Sequence, residues 1–268
     1  MRVSVVQNSA ADDVRANIDF AAARCREAAA AGAELIALPE NFSLLHQSDD
    51  RYLSDGYEES THPALTAFAE LAAELGVWIL LGSLTVKCDG DRVNNRSLLL
   101  DADGHVVARY NKVHLFDVSL KNGERYEESR TVAPGTELVV ADTPWGRLGL
   151  TVCYDLRFPY LYRRLAKLGA DIIAAPAAFT QTTGEAHWHT LVRARAIETG
   201  CFLVAPDQCG VRPWGRATYG HSLIVDPWGR VLADAGVKAG IASADLDLSE
   251  VARVRRMIPA LEHDRPLD

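Results

Sequence analysis

The chain has 268 residues, of which 48% are hydrophobic and 24% are charged, and its formal net charge is −8. This composition predicts a large folded core and excludes a mostly disordered chain. The acidic balance argues against a general nucleic-acid binder, which needs a basic face. No apolar run reaches the roughly 18–20 residues that cross a bilayer, and the N-terminal MRVSVVQNSAADD is unlike a secretory signal. We therefore expect neither nucleic acid nor membrane as a partner.

The first 113 residues alternate between two hydrophobic patterns. Short apolar runs predict strands, and Ala-rich amphipathic stretches between them predict helices. Gly32 stands where a helix C-terminal cap belongs, and the turn DADG has Asp first and Gly fourth, as β-turns prefer. In chain order the predicted elements are a strand at 2–8, a helix at 13–31, a strand within 32–40, a helix at 61–75, a strand within 74–83 and a hairpin at 96–108.

The same order of elements returns after residue 146. Between the two halves, residues 109–145 are polar and contain glycine, which suits an insert that carries a site. The matching segments are RVSVVQN (2–8) with RLGLTVC (147–153), GAELIALPE (32–40) with GADIIAAPA (169–177), ELGVWILLGS (74–83) with ETGCFLVAPD (198–207), and RSLLLDADGHVVA (96–108) with HSLIVDPWGRVLA (221–233). The second-half helices are predicted at 159–168 and 184–199, with Pro159 in a first turn and Gly169 at a cap. Four matches in one order indicate two structurally equivalent halves.

Each half is therefore predicted to be β-α-β-α-β-β, with both helices on one face of its sheet. The other face of each sheet is apolar and needs a partner, so we predict an α/β (α+β) fold in which two sheets pack together as four layers, α-β-β-α. The whole chain, 1–268, is interpreted as a single domain. Its parts are half 1 at about 1–113, an insert at about 109–145, half 2 at about 146–245 and a C-terminal tail at 246–268 with one short helical stretch.

The halves differ at polar positions, and such differences point to chemistry rather than to folding. Cys153 stands where the first half has Asn8, Glu40 stands where the second half has Ala177, and Lys112 follows the first hairpin. Ligands bind at strand ends in α/β folds. Taken singly, the three residues could equally be a buried thiol, an N-cap or surface acid, and a solvated lysine.

Together, the three groups would perform thiol chemistry. A thiol with a pKa near about 8.5 is mostly protonated at neutral pH and needs activation. A carboxylate can take its proton as a general base, and a lysine can stabilise a developing oxyanion. A helix that follows Cys153 would lower the thiol pKa through its positive N-terminal end if the geometry permits. A second carboxylate could hold the lysine, and Glu127 and Glu128 are both available in the insert.

Three motifs carry a family resemblance that covers essentially the whole chain. LPENF (38–42), YNKVHLFD (110–117) and VCYDLRFP (152–159) resemble the Glu, Lys and Cys signatures of the nitrilase, or carbon–nitrogen hydrolase, superfamily. The resemblance implies an α-β-β-α sandwich, which agrees with the repeat. It also implies that no metal or organic cofactor is needed.

The resemblance also implies a role for each residue. Glu40 would be the general base, Lys112 the oxyanion stabiliser and Cys153 the nucleophile. The further acid falls on Glu128, because YEES resembles the aromatic-x-Glu-Ser segment of the family. Glu127 is the alternative if the register is shifted by one residue.

Three second-half segments are most similar to the deaminated-glutathione amidase branch of this superfamily, with the omega-amidases next. They are PAAFTQTTGEAHWHTLVRARAIET (176–199), APDQCG (205–210) and GHSLIVDPWGRV (220–231). The resemblance implies an amidohydrolase that cleaves a non-peptide C–N bond of a small carboxylate-bearing substrate through a Cys thioester, with release of ammonia or an amine. The alternatives are an omega-amidase on alpha-ketoglutaramate or alpha-ketosuccinamate, and an N-carbamoyl amide hydrolase.

Four further residues are candidates for substrate binding. The carbonyl oxygen of an amide is expected to face Lys112 and the backbone N–H of Tyr154. A substrate carboxylate requires an arginine, preferably in a bidentate pair, and Arg157 is the first candidate, with a structural ion pair as its alternative. Phe179 and Thr183 lie just past a second-half strand end and are expected to line the pocket.

Histidines suggest rival interpretations. His187 and His189 lie two residues apart on a predicted helix and point to different faces, so we expect no metal site. A Cys–His hydrolase that uses His114 or His221 is the rival enzyme. A catalytically inactive scaffold of the same fold is the non-enzymatic rival.

The five cysteines are odd in number and scattered, without CxxC or zinc-site spacing. This pattern indicates a reduced, cytoplasmic protein. The family resemblance further implies at least a homodimer that pairs through an outer helix layer. The expected partners are therefore a small-molecule amide and further copies of this chain.

Overall fold

The computed structural model describes residues 1–47, 50–54, 56–120 and 123–265. The described helices are α1 (Val14–Ala30), α2 (Asp50–Ser54), α3 (Pro63–Leu75), α4 (Pro159–Lys167), α5 (Gln181–Thr199) and α6 (Ser249–Met257), with 3-10 turns at Glu59–Thr61, Glu128–Arg130 and Cys153–Arg157. The described strands are β1 (Arg2–Gln7), β2 (Leu35–Ala37), β3 (Trp78–Lys87), β4 (Val93–Leu100), β5 (Val106–Asn111), β6 (Asp117–Ser119), β7 (Arg125–Glu127), β8 (Val140–Thr143), β9 (Gly146–Leu150), β10 (Ile172–Ala174), β11 (Phe202–Ala205), β12 (Cys209–Val211), β13 (Ala217–Tyr219), β14 (Leu223–Val225), β15 (Val231–Asp234) and β16 (Gly240–Asp245). Residues 121–122 of the predicted insert and 266–268 of the predicted tail lie outside the described residues.

The structure confirms the helices predicted at 13–31, 61–75, 159–168 and 184–199 as α1, α3, α4 and α5. Local chemistry sets their ends. The Asp13 carboxylate accepts from the Ala16 N–H at 3.0 Å and caps α1, and Pro159 occupies the first turn of α4. Gly32 and Gly169 follow α1 and α4 with φ of +87° and +90°, which glycine adopts without strain. None of the described helices combines the length and the apolar character that a membrane crossing requires.

Two six-stranded sheets share one internal order, which confirms the predicted duplication. The first sheet runs β16-β1-β2-β3-β4-β5 and the second runs β8-β9-β10-β11-β14-β15. In each sheet three neighbouring strands are parallel, and an antiparallel hairpin follows them. Strands β1 to β5 therefore correspond one by one to β9, β10, β11, β14 and β15.

The sixth strand of each sheet comes from the other half of the chain. β8 lies in the predicted insert, after the hairpin of the first half, but pairs antiparallel with β9 of the second half. β16 lies at the end of the second half but pairs antiparallel with β1 of the first. The β1–β16 pairing runs from Arg2 opposite Asp245 to Gln7 opposite Gly240, so it covers all of β1. Each half is thus longer than the predicted β-α-β-α-β-β, and the halves exchange their last strands.

Alternating side chains produce the four layers. On β1, Val3 belongs to the apolar cluster that also contains Leu150 of the second sheet, whereas Val6 packs with α1 and α3 on the other face. On β2, Leu35 and Ile36 divide in the same way. Because successive strand side chains point to opposite faces, an apolar run buries one face against helices and the other against the partner sheet.

Candidate active site

Three strand ends bring the predicted catalytic side chains together. Glu40 follows β2, Lys112 follows β5 and Cys153 follows β9. All three are buried. The first two come from the first sheet and the third from the second sheet, so the packing of the sheets determines their separation.

The Lys112 ammonium lies between two carboxylates. Its Nζ donates to Glu40 Oε1 at 2.8 Å and to the two oxygens of Glu128 at 2.9 and 3.0 Å. Burial by itself would lower the pKa of Lys112, but the negative charges of Glu128 and Glu40 raise that pKa well above its ordinary value. Lys112 is therefore held in its charged form.

The structure distinguishes Glu128 from Glu127. Glu128 opens a 3-10 turn, and its Oε2 also accepts from the Phe116 N–H at 2.7 Å. Glu127 instead lies at the surface, where it pairs with Arg125 and Arg130. The carboxylate that contacts the lysine is thus the one that the family resemblance indicated.

Asn95 is a member of this cluster that the sequence analysis missed. Asn95 lies on β4, and its side-chain Nδ2 donates to Glu40 Oε1 at 2.9 Å and to Glu128 Oε1 at 3.2 Å. A signal for it exists in the repeat, because Asn95 stands where the second half has Gly220. The comparison of halves that identified Cys153 would also have identified this amide.

Cys153 occupies a strained backbone position. Its φ is +47°, a left-handed value that non-glycine residues adopt rarely and that clusters at functional sites. Its N–H donates to the Pro176 carbonyl at 2.8 Å, which holds the turn against the end of β10. The thiol itself interacts with the Glu40 carboxylate and with the Ala178 N–H.

Burial raises the pKa of the Cys153 thiol well above its ordinary value, and the charge of Glu40 adds to this while Lys112 opposes it. The geometry does not meet the condition under which a following helix would lower this pKa. A short 3-10 turn separates Cys153 from α4, which begins only at Pro159, and the lysine charge is already balanced by two carboxylates. The sulfur rests as a thiol.

Glu40 is a carboxylate that faces this thiol. Burial opposes its ionisation, but the charge of Lys112, together with hydrogen bonds from Lys112, Cys153 and Asn95, lowers the pKa of Glu40 below its ordinary value. Its Oε2 also accepts from the Ala178 N–H at 3.0 Å. A charged carboxylate beside a protonated thiol is the arrangement that general-base activation of a nucleophile requires.

A cleft opens onto the cluster, with Glu40, Lys112 and Cys153 in its lining. Of the predicted substrate-binding residues, Tyr154, Phe179 and Thr183 line it. The lining also contains side chains for which the sequence analysis had no signal, among them Tyr52, Phe116, Tyr126 and Arg216.

Arg157 is not among the described residues that line the cleft. Its guanidinium lies 5.2 Å from the Phe179 ring centroid and 5.9 Å from the Tyr154 ring centroid. It also contacts His187 Nδ1 at 3.4 Å. Arg157 therefore contacts two lining residues, and its role in binding a substrate carboxylate stays a prediction.

The histidines of the rival interpretation lie elsewhere. His114 Nδ1 is 2.6 Å from Asp155 Oδ1, and its ring stacks on Phe158 with centroids 3.6 Å apart. Asp155 is fully buried and also accepts from the Tyr110 hydroxyl at 2.7 Å and the Val152 N–H at 2.8 Å. Neither His114 nor His221 is among the described residues that line the cleft. Glu40 is thus the base that the geometry favours.

A second histidine cluster forms away from the cleft. Asp234 accepts from His189 at 3.1 Å and from His221 at 3.0 Å, and the atoms that could ligate a metal ion all lie within 4.8 Å of one another. The spacing of His187 and His189 could not reveal this cluster, because α5, a loop and β15 each contribute one residue. Its hydrogen bonds tie β15 to α5.

Known proteins resemble this chain along most of its length. Residues 2–256 match the family described as Carbon-nitrogen hydrolase. The chain is 42% identical over 237 residues to the deaminated glutathione amidase of Yersinia enterocolitica, covering 87% of this chain and 82% of that one. It is 40% identical over 271 residues to the deaminated glutathione amidase of Homo sapiens, covering 98% and 82%.

Solved structures agree with the fold. The C. elegans NitFhit protein has a TM-score of 0.92 and 38% identity over 98% of this chain, which spans 65% of that fusion protein. Saccharomyces cerevisiae Nit3, a member of branch 10 of the nitrilase superfamily, has a TM-score of 0.86 and 30% identity, covering 97% and 94%. A mutant amidase from Nesterenkonia sp. AN1, with a TM-score of 0.81 and 27% identity over 96% and 94%, carries the acetamide moiety of fluoroacetamide on its active-site cysteine.

Proposed function

The chain belongs to the carbon–nitrogen hydrolase family, and from this premise we propose that it hydrolyses the amide of a small carboxylate-bearing molecule, deaminated glutathione, through a thioester on Cys153. It is a hydrolase of non-peptide C–N bonds. The observation that carries the proposal is the contact of a thiol with a charged carboxylate beside a buried ammonium, at the base of a cleft. The substrate is inferred from the names of relatives that are 40% and 42% identical.

Acylation begins with an amide carbonyl over Cys153. The carbonyl oxygen faces Lys112 Nζ and the N–H of Tyr154, which lies in the first turn of its 3-10 segment, where N–H groups lack intrahelical acceptors. As sulfur attacks carbon, Glu40 takes the thiol proton and negative charge moves to the oxygen, where these donors stabilise it. Glu40 then gives the proton to the leaving nitrogen, the C–N bond breaks, and an amine or ammonia departs.

Deacylation uses the same base. Glu40 removes a proton from water while the water oxygen attacks the thioester carbon, and the C–S bond then breaks. The departing sulfur regains its proton from Glu40, which restores the resting site. Glu128 and Asn95 hold Lys112 and Glu40 in place throughout, because they are hydrogen-bonded to them.

The test is hydrolysis by the purified protein of deaminated glutathione, alpha-ketoglutaramate, alpha-ketosuccinamate, an N-carbamoyl amine and a simple nitrile. We expect the highest kcat/KM for deaminated glutathione. Cys153→Ala is expected to lower kcat by about 10³-fold or more, because the nucleophile is lost. Cys201→Ala is the matched control, since this buried cysteine lies outside the cleft.

Two outcomes would contradict the proposal. Full activity of the Cys153→Ala protein would remove the thioester step. A higher kcat/KM for one of the omega-amides or for the N-carbamoyl amine would replace deaminated glutathione as the substrate while keeping the reaction class.

We also propose that the protein acts in the reducing cytoplasm. All five cysteines lie within the described residues and are free, and unpaired cysteines are typical of reducing compartments. Mass spectrometry of the protein purified without reductant, after alkylation of free thiols, is expected to show five accessible thiols on unfolding.

A further inference from the structure

Two histidines and one carboxylate meet from three separate segments of the second half. His189 lies in α5, His221 lies in the loop before β14, and Asp234 ends β15. Asp234 Oδ2 is 3.1 Å from His189 Nε2 and 3.1 Å from His221 Nδ1, and Oδ1 is 3.0 Å from the same His221 nitrogen. None of the three is among the described residues that line the cleft. The hydrolysis proposed above therefore gives this cluster no role.

The three donor atoms are those that a zinc ion takes in proteins. Zn²⁺ binds imidazole nitrogens and carboxylate oxygens at about 2.0–2.2 Å, usually in a tetrahedral arrangement. With such bonds, neighbouring ligand atoms lie about 3.3 Å apart. The donor atoms of the cluster all lie within 4.8 Å of one another. Small side-chain rotations are therefore enough to bring them to the spacing of a bound ion.

Hydrogen bonds and stacking already hold two of these ligands. The His221 N–H donates to the Gly236 carbonyl at 2.6 Å, and the His221 carbonyl accepts from the Trp188 indole N–H at 2.7 Å. The Tyr219 ring stacks on the His221 ring with centroids 4.7 Å apart. The Gly236 N–H also donates to Asp234 Oδ1 at 2.8 Å. Ligands that are held in this way lose little conformational entropy when an ion binds.

Charge and exposure also favour a cation here. Burial opposes ionisation of Asp234, but its hydrogen bonds with Gly236 and the two histidines lower its pKa below the ordinary value, so the group is a carboxylate at neutral pH. Glu185 lies one turn before His189 on α5 and therefore on the same face, which adds a second negative charge. The side chains of His189, His221 and Asp234 are 36%, 23% and 33% exposed, so an ion can reach them from solvent.

We propose that His189, His221 and Asp234 bind one Zn²⁺ ion, with the fourth tetrahedral position open to solvent. Each imidazole binds the ion in its neutral form, with the proton on its other ring nitrogen. The ion joins α5, the loop before β14 and β15. Its role is structural, because the three ligands lie apart from the cleft that holds Cys153. The inference does not depend on the identity of the amide substrate.

The test is metal binding by the untagged protein after dialysis against EDTA. The Cys153→Ala background removes the nucleophilic thiol as a competing ligand. Calorimetry is expected to give one equivalent of Zn²⁺, and Co²⁺ is expected to give the visible absorption of a tetrahedral ion, which Zn²⁺ then abolishes. In the same background, His189→Gln and Asp234→Asn are each expected to weaken Zn²⁺ binding by at least about tenfold, because each removes a ligand.

His187→Gln is the matched control, because His187 lies on the same helix but contacts Arg157 instead. It is expected to bind Zn²⁺ as the background protein does. Zn²⁺ at about 100 times its Kd is expected to raise the thermal unfolding midpoint of the background protein but not that of Asp234→Asn. Circular dichroism checks each fold, and Asp234→Asn decides if His189→Gln is unfolded, since it keeps the side-chain shape. No Zn²⁺ binding, binding unchanged in Asp234→Asn, or an equal loss in His187→Gln would overturn the inference.

Discussion

At the scale of single residues, charge balance decides how the sulfur is activated. One ammonium and two carboxylates surround Cys153, so this buried group carries one net negative charge while the sulfur holds its proton. A resting thiolate would raise that to two negative charges in a volume with little solvent, which is costly. The mechanism proposed above agrees with this balance, because Glu40 takes the proton only as the sulfur attacks and Lys112 contacts the oxyanion.

This charge balance predicts the pH profile of kcat/KM. The pKa of Glu40 is lowered, so this base stays charged as pH falls to its ordinary value of about 4.3 and is protonated only below it. The pKa of Cys153 is raised, so the thiol keeps its proton at neutral pH. We expect kcat/KM to be flat from about pH 5.5 to 7.5, a range in which a histidine base would titrate.

The profile is measured on deaminated glutathione, with circular dichroism at each pH to confirm that the fold is intact. A limb near pH 6.5 that disappears in His221→Asn or His114→Gln would favour the Cys–His interpretation instead.

At the scale of elements, one close backbone approach positions Glu40. Gly82 lies in β3, and a Cβ at this position would be 2.0 Å from the Leu38 carbonyl oxygen and 2.2 Å from that of Pro39. The pairing of β3 with β4 shifts register at the same point, between Leu81 and Leu84. The segment that carries Glu40 therefore passes β3 at Gly82, where the strand has no side chain.

Gly82→Ala is expected to displace residues 38–40, since the contacting atoms are backbone and cannot rotate away. We expect a loss of about 1–3 kcal/mol in the free energy of unfolding and a lower kcat, measured by urea denaturation and steady-state kinetics. Gly240→Ala is the matched control, because its Cβ would meet no heavy atom within 4 Å. Equal effects of the two substitutions would show that the close approach does not position the base.

The Asp155 carboxylate links the turn of Cys153 to the segment that contains Lys112. Asp155 in the 3-10 turn accepts from the N–H of His114 at 3.0 Å and from the hydroxyl of Tyr110 at 2.7 Å. These partners flank Lys112 in the chain, so one buried carboxylate joins the turn of Cys153 to the segment of the lysine. These two hydrogen bonds therefore hold the segment of Cys153 against the segment of Lys112.

At the scale of the whole molecule, the active site belongs to both halves. The first half supplies Glu40, and the second supplies Cys153 and the Ala178 N–H that meets both side chains. β16 is hydrogen-bonded to β1 of the first half, and β8 is hydrogen-bonded to β9 of the second half. The halves are therefore held in one arrangement by backbone pairing as well as by apolar packing.

The outer face of the second half predicts a homodimer, as the family resemblance implies. Ile197, Trp228, Met257 and Ile258 are each about half exposed and lie on or beside α5 and α6. An exposed apolar patch of this kind marks an interaction surface, and we propose a second copy of this chain as its occupant. Light scattering is expected to give twice the chain mass of 29.2 kDa.

Paired substitutions test this face. Trp228→Glu with Ile258→Glu is expected to give a folded monomer, because a charge placed in an apolar interface is left unpaired. Phe20→Glu on α1, in the opposite helix layer, is the control and is expected to remain dimeric. A monomeric wild-type protein would contradict the proposal.

The sequence by itself predicted the four long helices, the duplication and the three residues proposed for catalysis. Apolar periods of two and of about 3.6 residues are local properties, so they indicate strands and helices without any long-range information. The duplication then implied that both sheet faces are covered, and the points where the copies diverge identified Glu40 and Cys153. Lys112 followed from its place after the first hairpin.

Only the tertiary structure decided the remaining features. Whether Glu128 or Glu127 contacts Lys112 depends on which side of a short 3-10 turn faces the lysine. A shift of one residue in that turn would bring Glu127 to the lysine instead. Arg216 lines the same cleft as Cys153 but lies more than sixty residues from it along the chain, so no local pattern connects them. The raised pKa of the Cys153 thiol was likewise beyond the sequence, because protonation depends on burial and on charges that distant segments bring together.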